Sequence, residues 1–97
     1  MPTHEWLPQF LRDLDDLSGD QKQAFLAASR PFVEDLRLGQ GFRPGLRVQR
    51  LRGRADVWEL TWAPDGRATW QYGPRQYPDQ PHIIWRRVGT HDGSRRS

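Results

Sequence analysis

The apolar residues of this chain change their period once, near Gly45, and that switch limits the fold more than any motif does. Before it, Leu7, Phe10, Leu11, Leu14 and Leu17 recur at the spacing of one helical face, with Pro8 where a first turn tolerates it. Ser18 to Gln21 has the form of a capping box. It opens a second amphipathic segment carried by Ala24, Phe25, Ala28, Phe32, Val33 and Leu36. Pro31 predicts a kink or restart near Arg30, and Gly39 and Gly41 predict the end of that helix. Two consecutive helices of this kind predict an antiparallel hairpin.

After Gly45 the apolar residues alternate. Leu46 to Leu51 reads as a weak strand. Val57 to Trp62 reads as a stronger one, with Trp58, Leu60 and Trp62 on one face and Glu59 and Thr61 on the other. Ala63-Pro64-Asp65-Gly66 has turn chemistry, since proline presets one dihedral and glycine takes a positive one. The return strand, Arg67 to Gly73, buries Ala68, Trp70 and Tyr72 and turns Arg67, Thr69 and Gln71 outward. Pro74 to Pro81 contains three prolines and reads as a loop. The last strand, His82 to Thr90, begins with the apolar run Ile83-Ile84-Trp85, which marks a central strand. The expected class is α+β: an N-terminal helical hairpin packed on one face of a small twisted antiparallel sheet of three to four strands. The other sheet face is then free for function. One domain over residues 1–97 is expected, with 93–97 a disordered tail.

Composition narrows the chemistry. The chain has no cysteine, which excludes disulfides, thiolate nucleophiles and Cys-type zinc sites. His4, His82 and His91 have no metal-ligand spacing, and no phosphate-cradling glycine loop or Gly-x-Ser-x-Gly elbow is present, so no metal site and no cofactor is expected. No apolar run approaches the roughly 20 residues that span a bilayer, so no membrane partner is expected and the expected location is cytoplasmic.

Charge is segregated along the chain. Met1 to Leu36 holds three basic and seven acidic residues, a net of −4, whereas the chain from Arg37 onward holds twelve arginines against five acids, a net of +7. Fourteen of the fifteen cations are arginine, the side chain suited to bidentate phosphate contact, so the basic half is a candidate anion-binding surface.

Arg50-Leu51-Arg52-Gly53, then a Trp-containing strand, then an Asp-Gly hairpin with Arg67 at its return, then a last strand ending Val88-Gly89-Thr90-His91-Asp92 resembles the RelE/ParE toxin superfamily, most closely its HigB-like, ribosome-dependent members. The resemblance covers nearly the whole chain. It implies a bacterial toxin of a type II toxin–antitoxin module, a metal-independent endoribonuclease that cuts mRNA in the 30S decoding site of the ribosome. It also implies a cognate antitoxin partner. In such a reaction the RNA 2′-hydroxyl attacks the neighbouring phosphate, so a base, phosphate-holding cations and an acid are required. The resemblance assigns His91 to acid–base work, Arg67 to the phosphorane and Glu59 to a base or to orienting Arg67. Arg50, Arg52, Arg54, Arg86 and Arg87 would bind RNA phosphates. The sequence departs from the family in lacking a tyrosine after the last strand and lysines at positions 59 and 61, and in a first strand before the helices that is at most Thr3 to Trp6, so the sheet is expected to lack an edge or to begin at an exposed strand. Two other functions therefore stay open: a ParE-like inhibitor of DNA gyrase without nuclease activity, and a silent relative that binds its antitoxin alone. Simpler roles stand beside each assignment: His91 bonded to Asp92, Arg67 solvated beside its turn, and the tryptophans in the core.

Overall fold

The computed structural model describes residues 1–90; His91, Asp92 and the expected tail at 93–97 lie outside the described residues. The chain runs β1 (Thr3–Trp6), α1 (Pro8–Asp16), α2 (Gly19–Leu38), a 3-10 turn (Pro44–Leu46), β2 (Gln49–Arg50), β3 (Trp58–Ala63), β4 (Gly66–Tyr77) and β5 (Gln80–Thr90). The five strands form one sheet in the order β1-β5-β4-β3-β2. β1 lies parallel to β5, and every other pairing is antiparallel. The sheet is therefore mixed and has five strands, where an antiparallel sheet of three to four was expected. The short Thr3–Trp6 segment accounts for the difference: its four residues find complete partners along His82–Trp85 of the central strand.

The sequence places the helix boundaries well. Ser18 Oγ accepts the Gln21 backbone N–H at 3.1 Å while Gln21 Oε1 accepts the Ser18 N–H at 2.8 Å, the reciprocal bonds of a capping box. Gly39 closes α2 in the left-handed region at φ 67°, its N–H bonded to the Asp35 carbonyl. The helix does not restart at Pro31; α2 continues through it from Gly19 to Leu38. The proline removes one backbone donor, but Phe25, Phe32 and Leu36 bury against the sheet on both sides of it and hold the axis. Nor do the helices form a clear hairpin. Each packs on the sheet, α1 against β5 and α2 across β3 and β5, and they meet where the Phe10 and Phe25 rings lie 5.7 Å apart.

The layers enclose one core. Phe10, Leu17, Phe25, Phe32 and Leu36 from the helices meet Leu60, Trp62, Ala68, Trp70, Ile83, Trp85 and Val88 from the sheet. Tyr72, expected inside, is half exposed because β4 has passed the end of the helical layer there. The weak strand expected at Leu46 to Leu51 is instead the 3-10 turn followed by the two-residue β2. The expected loop at Pro74 to Pro81 is a continuation of the β4–β5 hairpin, turning at Pro78 and Asp79. Pairing breaks between Gly73 and Tyr77 and resumes at Tyr77–Gln80, so Pro74 occupies a stretch of the ladder where no backbone donor is required.

Candidate nucleic-acid interface

The outward face of the sheet gathers several of the candidate residues. Antiparallel register sets Glu59 opposite Thr69 and Thr61 opposite Arg67, and on the other side Thr69 faces Arg87. Glu59 and Arg67 are thus one diagonal step apart rather than partners. Glu59 accepts a hydrogen bond from Gln49 Nε2 at 3.3 Å. Arg67 turns back over its own hairpin: its Nη1 donates to the Gly66 carbonyl at 2.9 Å and lies 3.4 Å from the Ala63 and Pro64 carbonyls. That anchorage uses one nitrogen of the fork and leaves Nε and Nη2 without a partner among the described residues. Gly66 does not take the positive φ expected of this turn; glycine is required there because a Cβ would sit 2.5 Å from the Trp62 ring.

The remaining arginines have different surroundings. The Arg50 guanidinium lies 5.1 Å over the Trp58 ring, on the face of β3 opposite Glu59. Arg52 is exposed in the loop after β2, and Arg54 approaches Asp56 at 3.9 Å. Arg86 donates from Nη1 to Gln71 Oε1, while its Nε is buried without a partner. Thr69, 2% exposed at the middle of this face, also holds a hydroxyl with no partner. The alternation turns Thr69 outward with Arg67 and Gln71, but the structure buries it.

Arg87 is committed to the fold. β1 ends opposite Trp85, so β5 beyond that point has α1 as its neighbour, and Arg87 makes a fork with Asp13 there at 2.7 and 2.9 Å. Asp13 also accepts the Val88 N–H at 3.2 Å. Both side chains are largely buried, and the Asp13 bond holds the Arg87 guanidinium more firmly protonated than usual. The structure thus places Glu59 and Arg67 on one face of the sheet with Thr69 buried between β3 and β5, and diverts Arg87 to the helical layer; His91 lies beyond the described residues.

Two further clusters serve the scaffold. His82, 4% exposed, bridges β1 to β5: its Nδ1 lies 2.7 Å from Thr3 Oγ1 and its Nε2 2.9 Å from Glu5 Oε1. The Glu5 carboxylate accepts from Nε2–H, which leaves Nδ1 to accept the Thr3 hydroxyl. Asp35 accepts from Arg43 Nε, Nη2 and backbone N–H at 2.8 to 3.0 Å. The Arg43 side chain first, and its backbone second, lower the Asp35 carboxyl to about 2. Among the described residues no three His, Asp or Glu side chains converge to hold a metal, and no helix is long and apolar enough to cross a membrane.

The sequence matches no protein-family model and no curated protein. Solved structures do resemble it. A chain of the E. coli DinJ-YafQ toxin-antitoxin complex matches with a TM-score of 0.68 at 14% identity, over 94% of this chain and 93% of that one. A chain of the RelB-RelE antitoxin-toxin complex from Methanococcus jannaschii matches at 0.60 and 14%, over 94% of each. The YoeB/ParE toxin from Agrobacterium tumefaciens matches at 0.64 and 10%, over 92% of this chain and 98% of that one. The chain shares the fold of these solved structures.

Proposed function

We propose that this chain is a toxin of the RelE/ParE superfamily, of the ribosome-dependent kind that its sequence resembles among HigB-like members, cutting mRNA in the 30S decoding site. The observation that carries the proposal is Arg67. Its guanidinium is pinned to the β3–β4 turn through one nitrogen and has the other two unpartnered among the described residues, one diagonal step from Glu59 on the same face of the sheet. A fork held in this way meets a phosphate with little loss of side-chain freedom.

The proposed step is internal transfer. Glu59 or His91 takes the proton of the RNA 2′-hydroxyl, whose oxygen bonds to the adjacent phosphorus. The phosphorus–5′-oxygen bond breaks, and the departing oxygen receives a proton from the second of these groups. The products are a 2′,3′-cyclic phosphate and a 5′-hydroxyl. Arg67 stabilises the pentacoordinate phosphorane, where negative charge is greatest. Arg50, Arg52 and Arg54 track neighbouring phosphates. The proposed partner is an antitoxin, supported by the two fold relatives solved as toxin–antitoxin complexes. Its binding segment would carry carboxylates onto the arginine-rich face.

Primer extension on a translated mRNA after brief induced expression tests this reading. New 5′ ends inside the coding region are expected with the wild type and absent with Arg67→Ala or His91→Ala. Growth arrest without new ends would replace the proposal by the gyrase reading. The lock of Arg87 on Asp13 favours a second reading, a silent relative that binds its antitoxin, for which neither arrest nor cleavage is expected.

A further inference from the structure

Of four clefts among the described residues, one differs in charge. Asp35 and Asp79 line the first, Asp13 and Asp16 the second, and Asp35 again the third. The fourth, about 520 Å³ between the 3-10 turn and the β3–β4 turn, is lined by two arginines and no acidic residue. Arg47 stands on one side and Arg67 on the other, with the Thr61 hydroxyl beside them. Arg47 has no ion-pair or hydrogen-bond partner for its side chain among the described residues, and Arg67 bonds only to carbonyls. Part of the wall is Trp62, whose buried indole N–H is also unpartnered.

Backbone strain adds an independent observation. Arg47 is the one non-glycine residue with positive φ among the described residues, at 47°, capping the 3-10 turn through a bond from its N–H to the Pro44 carbonyl at 3.0 Å. A branched or long side chain seldom takes this conformation, where glycine or asparagine is the ordinary occupant. Strain retained in this way, next to unbalanced charge, marks a position where the side chain does something the fold does not need.

We infer that the cleft between the 3-10 turn and the β3–β4 turn is an anion site in which Arg47 and Arg67 together hold an RNA phosphodiester. Two like charges facing one cavity repel each other, and a bound phosphate removes that repulsion while accepting from both forks. The inference rests on the nuclease reading for the identity of the anion. It adds Arg47 as a binding residue outside the Arg50, Arg52 and Arg54 group, with the phosphate next to the cut bond as its ligand.

The test uses the full chain and a 2′-O-methylated RNA trinucleotide, which binds without being cut. Saturable shifts of the Arg47 and Arg67 Nε–H resonances are expected in nitrogen-15 spectra, with Arg12 and Arg30 of the acidic half unmoved. Arg47→Gly removes the guanidinium and relieves the strain together. It should weaken trinucleotide binding at least tenfold while the melting temperature holds or rises, which a merely structural arginine would not do. Arg47→Lys should recover part of the binding. Unmoved Arg47 resonances, unchanged binding by Arg47→Gly, or shifts with an acidic hexapeptide but not with RNA would each overturn the inference. Programmed ribosomes keep the two proposals apart. A wild type that binds the trinucleotide as described but leaves ribosome-bound mRNA intact refutes the nuclease and retains the site. A wild type and an Arg47→Gly variant that cut and bind alike retain the nuclease and refute the site.

Discussion

Arg87 and Asp13 show how one residue can look functional in sequence and be occupied structurally. An arginine on the last strand of a basic half invites assignment to RNA, yet this one spends its fork on a carboxylate 74 positions away and fixes α1 to β5. Removing one member of a largely buried pair leaves the other charge without a partner. Arg87→Ala should therefore cost about 3 kcal/mol in urea denaturation, with Arg87→Met plus Asp13→Leu recovering much of it. Loss of toxicity in Arg87→Ala alone would accordingly report unfolding before it reported RNA contact. The Asp35–Arg43 pair makes a second prediction, in pH. The folded carboxyl sits at about 2, below its ordinary 3.8, so its contribution is complete above the ordinary value and is lost as pH falls through the folded one. Wild type should lose more stability than Asp35→Asn between about pH 4 and 2, measured by chemical denaturation across that window.

At the level of elements, the turn and cap chemistry was legible and the long-range pairings were not. Ser18, Gln21, Gly39 and the Pro64-Asp65-Gly66 turn declared themselves because each acts within a few residues of itself. β1 was legible only through the family resemblance, as a short strand of at most Thr3 to Trp6, and its parallel pairing with His82 to Trp85, almost the whole chain away, was not. The β4–β5 extension was hidden by prolines that sit where the ladder is already broken. Likewise the alternation placed Glu59, Arg67 and Thr69 on one face, but it did not give the register that separates Glu59 from Arg67, nor the turn of the Arg67 fork toward backbone carbonyls. Two substitutions check these element-level accounts. Gly66→Ala should lower stability by about 1–3 kcal/mol, since the methyl meets the body of the Trp62 ring at 2.5 Å and neither can move freely. Pro31→Ala should raise stability by about 1 kcal/mol and leave α2 unchanged, because it restores a backbone donor to a helix whose axis packing already holds. Thermal denaturation reads both.

Over the whole molecule, the fold converts charge order along the chain into charge order in space. The acidic first part supplies β1 and both helices, and the arginine-rich remainder supplies β2 to β5 and the turns around them. A polyanion approaching the sheet from its outward face therefore meets Arg67, with Arg52 in the exposed loop beside the edge strand, so association should weaken with salt. The central claim is that this surface cuts mRNA on the ribosome through Arg67. Single-turnover cleavage of a short mRNA on purified, programmed ribosomes tests it most directly, with Arg67→Gln beside the wild type and naked mRNA as the control. The account predicts cleavage that requires the ribosome, yields a 5′-hydroxyl end and slows by about 10²- to 10³-fold in Arg67→Gln. Equal cleavage of naked mRNA, or an unchanged rate in a folded Arg67→Gln protein, would contradict it.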